Sequence, residues 1–441
     1  MIAHITIQQS NETAEIKVPP FLYQKIQVSQ PLKIRFGSRA IYANARQGEQ
    51  VLEIHESLAS QLFFPWKKTT VSFRYNVAEN ELKIGPVIAL LTSNGKPFGR
   101  MASFMEELAH CCKKNHAIFY VLPLHSQQDE SLDSFYGYLF NNNRWEEMKM
   151  PFPDVVYNRI ASRKQEKSKT AANLFSRLKK QGIPIFNERF LNKWEVYNAL
   201  KQELELYPHL PNTTLYRKAS DLDTMLQQHP IIYAKPIDGS LGRKILKITH
   251  HDGKYQLQYS NAIHMQTNEY TLLELLRTAI PLLKTEPYLL QQGIPVLTYH
   301  GRLTDFRALC NKDNTGKWKV SSLVARCSPS GQIVSNLAMG GTLHHPNQIL
   351  ASRLTEQETK SCLKFCNELA VCCAHAIERH FQGIYGELGI DLVIDENGKP
   401  WIIEVNTKPS KSNKEHVANA IRPSTKALVQ FAKFLAGFHA S

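Results

Sequence analysis

The sequence predicts a multidomain protein of mixed α+β and α/β class, and three observations support this prediction. The chain has 441 residues, which is enough for two or three domains. Residues 1–84 form short runs that alternate apolar and polar side chains, whereas from residue 85 apolar strands alternate with helical segments. Near the C-terminus, two β-prone runs flank Asn397 and Gly398, a pair typical of hairpin turns. We therefore expect a small all-β domain at 1–84, an α/β domain at 85–188 and a third domain at 189–441.

The first two domains follow from the periodicity of their apolar residues. IKVPPF, QPLKIRFG, RAIYANA and TTVSFRYN alternate as strands do, and because nothing in them predicts catalysis we expect a role in interaction or packing. PVIALLTS, FMEELAHCCKKN and AIFYVLPL then follow as strand, helix and strand, which predicts a βαβ unit of a parallel sheet. Ligands of such sheets bind beyond the carboxyl ends of the strands. Arg159 lies at the end of the strand PDVVYNRI, where a substrate contact and a structural role are both open.

Composition and charge predict a globular cytoplasmic protein with acidic partners. Hydrophobic residues make up 43% of the chain, the N-terminus lacks the basic-then-apolar order of a signal peptide, and no apolar run is long enough to span a bilayer. The formal net charge of +14 favours nucleotides, acidic peptides, nucleic acid or anionic surfaces as partners. A nucleic-acid binder is disfavoured, because the sequence has no stacking-aromatic or helix-turn-helix motif.

A basic tract carries part of this charge. It comprises Arg159, Arg163, Lys164, Lys167, Lys169, Arg177, Lys179 and Lys180. We expect most of these residues on solvated helix surfaces. A second interpretation, based on charge alone, is that the tract and the tail residues Lys408, Lys411 and Lys414 attract an acidic amino acid or peptide.

The eight cysteines do not have the spacing of a disulfide framework. Cys362, Cys366 and Cys373 fall at helical spacing with Leu369, Ala376 and His380. This pattern predicts one buried stripe on a long helix, which Thr355 and Glu358 begin with a capping box. A metal role for the first two cysteines is the weaker alternative, since the chain has no CxxC pair.

Two central segments have features of a phosphate site. HPIIYAKPIDGSLGRKILKIT predicts a strand, a Gly/Ser loop and a returning strand, with Lys235 and Arg243 beside the loop. Backbone N–H groups in such a loop can lie along phosphates, although a plain glycine loop is the alternative and no Walker A or Rossmann pattern is present. GRLTDFRALC predicts a strand with Asp305 and Arg307 on one face, where the arginine can make a bidentate phosphate contact.

The stretch GELGIDLVIDENGKPWIIEVNTKP predicts a hairpin with a type I′ turn and a metal site on one face. Pairing outward from the turn places Glu396 opposite Lys399, Asp395 opposite Pro400, and Asp391 opposite Glu404, with Asn406 on the face of Glu404. The other face collects Ile390, Leu392, Ile394, Trp401, Ile403 and Val405. Opposed carboxylates repel, and oxygen ligands suit Mg²⁺ or Mn²⁺ between them. An ordinary hairpin with a solvated polar face is the alternative.

The order of these signals resembles an ATP-grasp nucleotide site. The ordered positions are Lys193, Lys235, the Gly/Ser loop, Gln291 and Gln292, Asp305 and Arg307, Asn336, Asp391, Glu404 and Asn406. The resemblance covers residues 190–441, and residues 85–188 match the pre-ATP-grasp domain. The whole chain more particularly resembles the YheC/YheD family of endospore-coat-associated proteins, through GPVIALLTS, DVVYNRI, NKWEVYNAL, AKPIDGSLGR and DFRALC.

The resemblance implies a role for each matching position. Lys193 and Lys235 would contact ATP, and Gly239, Ser240, Leu241, Gly242 and Arg243 would form the loop over its phosphates. Gln291, Gln292, Gly293 and Ile294 would line the adenine pocket. Arg307 and Lys235 would be catalytic, and Asp391, Glu404 and Asn406 would hold one or two Mg²⁺ ions, or Mn²⁺.

The implied activity is ATP- and Mg²⁺-dependent carboxylate–amine ligation through an acyl phosphate, in a sporulation or spore-coat context. The implied partners are ATP, an acidic amino acid or peptide substrate, and spore-coat proteins. A non-catalytic ATP-binding protein of spore-coat assembly is the alternative.

Overall fold

The computed structural model describes residues 1–8, 15–93, 99, 101–127, 134–239, 242–260, 269–329, 332, 340–411 and 420–438. The described residues form a barrel and three open sheets with helices packed against them, which confirms the predicted mixed class. In this part of the chain, no helix combines the length and the apolar character that a membrane crossing requires.

The first strands close into a barrel in the order β1-β5-β2-β4-β3-β7-β6. They are β1 (Ile2–Gln8), β2 (Glu15–Val18), β3 (Leu32–Phe36), β4 (Arg39–Gln47), β5 (Leu52–His55), β6 (Lys68–Asn76) and β7 (Glu81–Ile84), with helices α1 (Pro20–Tyr23) and α2 (Glu56–Gln61). Closure pairs β1 with β6, which leaves the barrel without a free sheet edge. The division of the chain into three domains stays a prediction.

The second sheet has the order β11-β10-β9-β8-β12-β13. Its elements are β8 (Val87–Thr92), α3 (Ala102–Lys114), β9 (Ile118–Pro123), β10 (Ser134–Asn141), β11 (Arg144–Pro151), β12 (Val155–Arg159), α4 (Arg163–Glu166), α5 (Lys169–Lys180) and β13 (Ile185–Phe186). β8 is parallel to β9 and to β12, so the predicted βαβ unit is confirmed. The carboxyl ends of β8 and β12 therefore meet at one edge.

The third sheet has the order β14-β19-β15-β16-β17-β18 and is antiparallel. Its elements are α6 (Lys193–Leu200), β14 (Thr213–Leu215), α7 (Ala219–Gln228), β15 (Ile231–Pro236), β16 (Leu246–His251), β17 (Lys254–Tyr259), β18 (Glu269–Tyr270), α8 (Leu272–Leu283) and β19 (Tyr288–Gln292). The predicted strand, loop and returning strand correspond to β15 and β16, which pair with each other.

The fourth sheet has the order β23-β22-β21-β24-β25, and a short strand β20 pairs with β21. Its elements are β20 (Thr298–Tyr299), β21 (Arg302–Lys312), β22 (Trp318–Cys327), β23 (Thr342–His344), α9 (Pro346–Leu350), α10 (Glu356–His380), β24 (Glu387–Ile394), β25 (Pro400–Asn406) and α11 (Pro423–Leu435). Every residue of β24 is buried, so both faces of this strand are covered.

The turn between β24 and β25 differs from the prediction. A type I′ turn requires positive φ at both central residues, but Gly398 has φ +80° whereas Asn397 is not in the left-handed region. The backbone N–H of Asp395 donates to the carbonyl of Lys399 at 3.0 Å, so the loop has three residues, 396–398. The predicted pairing of Glu396 with Lys399 is therefore wrong.

A bulge restores the register further along the hairpin. The longer loop places Ile394 opposite Pro400, one residue out of the predicted register. Ile403 then has no partner on β24, and beyond it Asp391 lies opposite Glu404 as predicted. The one-residue shift at the turn and the one-residue shift at the bulge thus cancel before the pairing reaches Asp391 and Glu404.

The bulge also changes which side chains of β25 face the core. Ile402 is 2% exposed and occupies the core, whereas Trp401 and Ile403 are only half-buried, contrary to the prediction. The indole of Trp401 instead donates to Asp395 Oδ2 at 2.9 Å and supports the turn.

The cysteine stripe of α10 is confirmed except at its end. The capping box of Thr355 and Glu358 is present, and the cysteines of the stripe are buried and free. The prediction that His380 belongs to the stripe is wrong, because His380 is exposed and its Nε2 lies 2.8 Å from Glu203.

A buried carboxylate joins the fourth sheet to the second. Glu387, at the start of β24, is fully buried and accepts a hydrogen bond from Tyr157 Oη at 2.6 Å and one from Asn311 Nδ2 at 3.3 Å. The Nζ of Lys411 forms a short ion pair with the same carboxylate. Burial raises the pKa of Glu387, but Lys411 and Arg159 outweigh this effect and hold the pKa below its ordinary value.

We predict that Glu387→Gln destabilises the protein by about 3–5 kcal/mol, because it leaves Lys411 buried without its carboxylate. The folded-state pKa of Glu387 is lowered, so the carboxylate contributes stability above the unfolded pKa of about 4.3 and loses it as the pH falls through the folded-state pKa. Urea unfolding at pH 7 and in acid measures both effects.

The matched control is Glu356→Gln, which breaks an exposed pair with Lys360. We expect it to cost less than about 1 kcal/mol. Similar small losses in the two variants would contradict the prediction.

Candidate functional site

A cleft lies between the third sheet and the hairpin strand β25. Its empty space, counted together with the open solvent at its mouth, is about 420 Å³. Its apolar lining residues are Val196, Tyr197, Leu200, Leu210, Leu289, Ile402, Ile403 and Val405. Its polar lining residues are Lys193, Thr213, Lys235, Gln291 and Glu404. The cleft thus combines an apolar wall, suited to a planar ring, with a charged end.

Lys235 and Gln291 lie together on the paired strands β15 and β19. Lys235 Nζ donates to Gln291 Oε1 at 2.6 Å, and Gln291 Nε2 donates to Thr213 Oγ1 at 3.3 Å, so both ends of the amide are held. Burial lowers the pKa of Lys235 to about 8; Lys193 adds to this effect, whereas Glu404 and Asp391 oppose it. Lys235 is therefore a cation held in a site that penalises its charge.

Lys193 connects the Gly/Ser loop to the hairpin. Asn192 and Glu195 form a capping box that begins α6, and this places Lys193 in the first turn. Its Nζ donates to the carbonyl of Gly239 at 2.5 Å and lies 3.3 Å from Glu404 Oε1. Lys193, at the start of α6, thus lies next to Glu404, a carboxylate of the fourth sheet.

Two arginines hold Asp391. Arg307 lies opposite it in register; its Nε donates to Oδ1 and its Nη2 donates to Oδ2 at 2.7 Å. Arg326, from β22, donates from Nη2 to Oδ1 at 3.0 Å and from Nε to Asp305. Burial raises the pKa of Asp391, but the two guanidinium groups outweigh it and hold the pKa below its ordinary value.

Asp391, Glu404 and Asn406 lie together on the hairpin and offer oxygen donors, and their role in holding Mg²⁺ or Mn²⁺ stays a prediction. The two carboxylates are register partners, and Asn406 Nδ2 donates to Asp391 Oδ2 at 3.2 Å. Hard divalent ions prefer oxygen ligands of this kind. Throughout the described residues, no group of three or more His, Cys, Asp or Glu side chains is arranged to hold a metal.

Three predicted adenine contacts lie away from the cleft in the described structure. Gln292 accepts a hydrogen bond from Asn212 N at 3.1 Å through Oε1. Gly293 lies against Ile231, whose side chain a Cβ would meet at 2.3 Å. Neither of them, nor Ile294, is among the cleft-lining residues. Their contact with a nucleotide stays a prediction.

The Gly/Ser loop is described only in part. The carbonyl of Gly239 accepts a hydrogen bond from Lys193 Nζ. Gly242 has φ +70°, and Arg243 is exposed. Ser240, Leu241 and Asn336 lie outside the described residues, as does Lys414. The role of the loop in closing over phosphates stays a prediction.

Two lysines of the tail do not lie on the surface. Lys408 forms a buried ion pair with Glu166, and Lys411 forms one with Glu387. The hypothesis that these lysines attract an acidic substrate from solvent is therefore wrong for both. Lys164, Lys167 and Lys169 of the basic tract are exposed, as expected of a solvated helix surface, whereas Arg159 is buried.

The sequence analysis missed Arg326 and the residues that form the apolar wall of the cleft. Arg326 pairs with Asp305 across β21 and β22, so the strand register would have revealed it once that pairing was known. Val196, Tyr197 and Leu200 lie at helical spacing on α6, and this pattern alone predicts only a helix face packed against other residues.

The chain is similar to known proteins in sequence and in structure. The chain is 28% identical over 411 residues to the endospore coat-associated protein YheD of Bacillus subtilis (strain 168), covering 90% of this chain and 88% of that protein. It is 22% identical over 282 residues to the endospore coat-associated protein YheC of the same organism, covering 62% and 75%. The D-alanine–D-alanine ligase of Bacillus anthracis is similar with a TM-score of 0.47 and 11% identity, covering 80% of this chain and 98% of that chain. The model of the YheC/D-like ATP-grasp family matches residues 182–435, and the chain belongs to that family.

Proposed function

We propose that the protein is an ATP- and Mg²⁺-dependent carboxylate–amine ligase that works in an endospore-coat context. The observation that carries the proposal is the meeting of Lys193 and Lys235 with Glu404 at the charged end of an apolar cleft. Membership of the ATP-grasp family supports nucleotide binding there. The names of the two relatives support the coat context.

The proposed reaction has two steps. A carboxylate is a poor acyl donor, so its oxygen first attacks the γ-phosphorus of ATP; the bond from that phosphorus to the β–γ bridging oxygen breaks, and ADP leaves. An amine then attacks the carbonyl carbon of the acyl phosphate. The new C–N bond forms, phosphate leaves with the electrons of the C–O bond, and the amine loses a proton.

The residues of the site would neutralise the negative charge of the ATP phosphates and hold the reacting groups in line. Lys235 and Arg307 would offset the charge on the transferring phosphoryl group. Because Arg326 also holds Asp391 and is itself held by Asp305, Arg307 can turn toward a phosphate without leaving Asp391 unpaired. The divalent ion, held by Asp391, Glu404 and Asn406, would neutralise the β- and γ-phosphates.

A non-catalytic assembly protein that binds ATP is the second candidate. The barrel β1–β7 favours it, because no residue of the barrel is among the described residues that line the cleft. A unit of this size outside the nucleotide cleft is expected to contact something other than ATP.

We predict that the wild-type protein releases phosphate from ATP with Mg²⁺ only when an acceptor is supplied, and that Glu404→Gln lowers this rate by about 10²–10³-fold, because the metal set loses a charged ligand. Phosphate release with pooled amino acids and acidic peptides measures it. The control is Glu396→Gln, an exposed turn position of the same hairpin, which we expect to retain the wild-type rate.

Undiminished turnover by Glu404→Gln would mean that the hairpin does not hold the reacting nucleotide. Nucleotide binding without turnover, whatever acceptor is supplied, would favour the assembly protein.

We predict that Lys235→Met weakens the binding of ADP with Mg²⁺ by about 10–100-fold, the loss expected for one hydrogen bond to a charged group. The protonated amine binds the phosphates, so wild-type affinity should fall as the pH rises through the Lys235 pKa of about 8, while the affinity of the variant stays flat. Titration calorimetry at pH 7 and pH 9 measures both. Lys247→Met, on the adjacent strand β16, is the control and should bind as the wild type does.

A further inference from the structure

A second candidate site lies at the carboxyl edge of the parallel sheet, outside the cleft. Arg159 ends β12 and is 6% exposed. Its Nη2 donates to the carbonyl of Pro409 at 2.8 Å, but its Nε and Nη1 have no hydrogen-bond partner among the described residues. A buried guanidinium with donors left unpaired costs free energy unless something binds it.

The neighbouring strand ends in another unpaired polar group. Thr92 is the register partner of Arg159, so the two side chains lie side by side at the same edge. Thr92 is 6% exposed, and its Oγ1 has no hydrogen-bond partner within the described parts of the chain. Two buried orphan groups in adjacent positions point to one absent partner rather than to two separate defects.

The charges around this edge leave Arg159 in excess. Glu387 forms its close ion pair with Lys411, while Arg159 Nη1 stays 3.9 Å from that carboxylate. Arg422 has its own carboxylate, Glu107, at 2.6 Å. Three cations thus share two carboxylates, which leaves one positive charge at a buried position. A monoanion would balance it.

Two paired cations and the start of a helix lie around this edge. Lys411 and Arg422 lie 5.1 Å and 5.5 Å from the ring of Phe104, in the first turn of α3, and α3 begins without a side-chain cap. Burial lowers the pKa of Lys411 to about 8; Arg159 and Arg422 add to this effect and Glu387 opposes it. An incoming anion would therefore meet the unpaired donors of Arg159 and an uncapped helix start.

This edge lies beside the hairpin that carries the metal set. Pro409, which accepts the hydrogen bond from Arg159, is so close to Gly389 that a Cβ there would lie 2.9 Å from its ring. The same Cβ would lie 3.3 Å from Nη1 of Arg307, the arginine whose Nε and Nη2 donate to Asp391. Pro409 and Gly389 thus lie between the guanidinium of Arg159 and that of Arg307.

We propose that Arg159 and Thr92 form an anion pocket that binds an unreacted carboxylate group of the amino acid or peptide substrate. The proposal rests on the proposed ligase function, in which substrates of this class carry such a group. A carboxylate matches the single excess charge, and its oxygens can accept from Nε, Nη1 and the threonine hydroxyl. Parallel sheets of this kind bind ligands at the carboxyl edge.

The test is binding rather than turnover. Titration calorimetry on the full chain with ADP and Mg²⁺ uses glutarate, L-glutamate and a glutamate tripeptide as carboxylate probes, and inorganic phosphate as the competing anion. We expect a carboxylate probe to bind the wild type and to bind Arg159→Met at least tenfold more weakly. Lys164→Met removes an exposed charge from the same tract and should bind as the wild type does.

Thr92→Val separates a binding role from a structural role. The substitution removes a hydroxyl that has no partner, so urea unfolding should show unchanged or higher stability. Carboxylate affinity should nevertheless fall at least threefold. Unchanged affinity in this variant, or losses in the Arg159 variant that merely follow its stability, would overturn the proposal.

The remaining outcomes distinguish this pocket from the ligase. Carboxylate binding that depends on Arg159 without any ATP turnover would support the pocket and refute the ligase. Turnover with no carboxylate binding, or binding of phosphate alone through Arg159, would refute the carboxylate pocket and leave the ligase standing.

Discussion

The opposition of Asp391 and Glu404 on adjacent strands is the constraint on which the site depends. Two carboxylates that face each other repel, and Asp391 is only 8% exposed, so each requires cations close by. Those cations come from four different elements: Arg307 from β21, Arg326 from β22, Lys193 from α6 and Lys235 from β15. The need to neutralise one pair of carboxylates thus draws the third and fourth sheets together, and the cleft lies where they meet.

The hairpin shows how far sequence reasoning reached. The two strands, the core residues of β24 and the opposition of Asp391 and Glu404 were all predicted. The turn, the pairing of Asp395 with Pro400 and the burial of Trp401 and Ile403 in the core were predicted wrongly. The prediction survived because both faces of β24 are buried, so a slip of one residue there would move apolar side chains out of the core. The extra loop residue is instead compensated by a bulge at Ile403. Ile403 is only half-buried, so a bulge there disturbs the core less than one at a fully buried position would.

What the sequence could not supply were contacts between distant segments. Arg326 reaches Asp391 from a position 65 residues away, and the carbonyl that Arg159 contacts is 250 residues further along the chain. No local periodicity encodes such distances. From the sequence, a substrate contact and a structural role for Arg159 therefore both stayed open. The structure adds that Arg159 is buried and that two of its nitrogens have no hydrogen-bond partner among the described residues.

Buried cations that each have a carboxylate partner can be distinguished from buried cations that outnumber their carboxylates. Lys408, Lys411 and Arg422 each form an ion pair with one carboxylate. Such neutral pairs add no net positive electrostatic potential. At the cleft, Arg307, Arg326, Lys193 and Lys235 face three carboxylates. Beside it, Arg159 approaches a carboxylate no closer than the 3.9 Å to Glu387, which is paired with Lys411. Unbalanced buried cations destabilise a folded chain, so their concentration on either side of Gly389 is what the proposed binding of an anion on each side would offset. A triphosphate on one side and a carboxylate on the other would then approach each other across the hairpin.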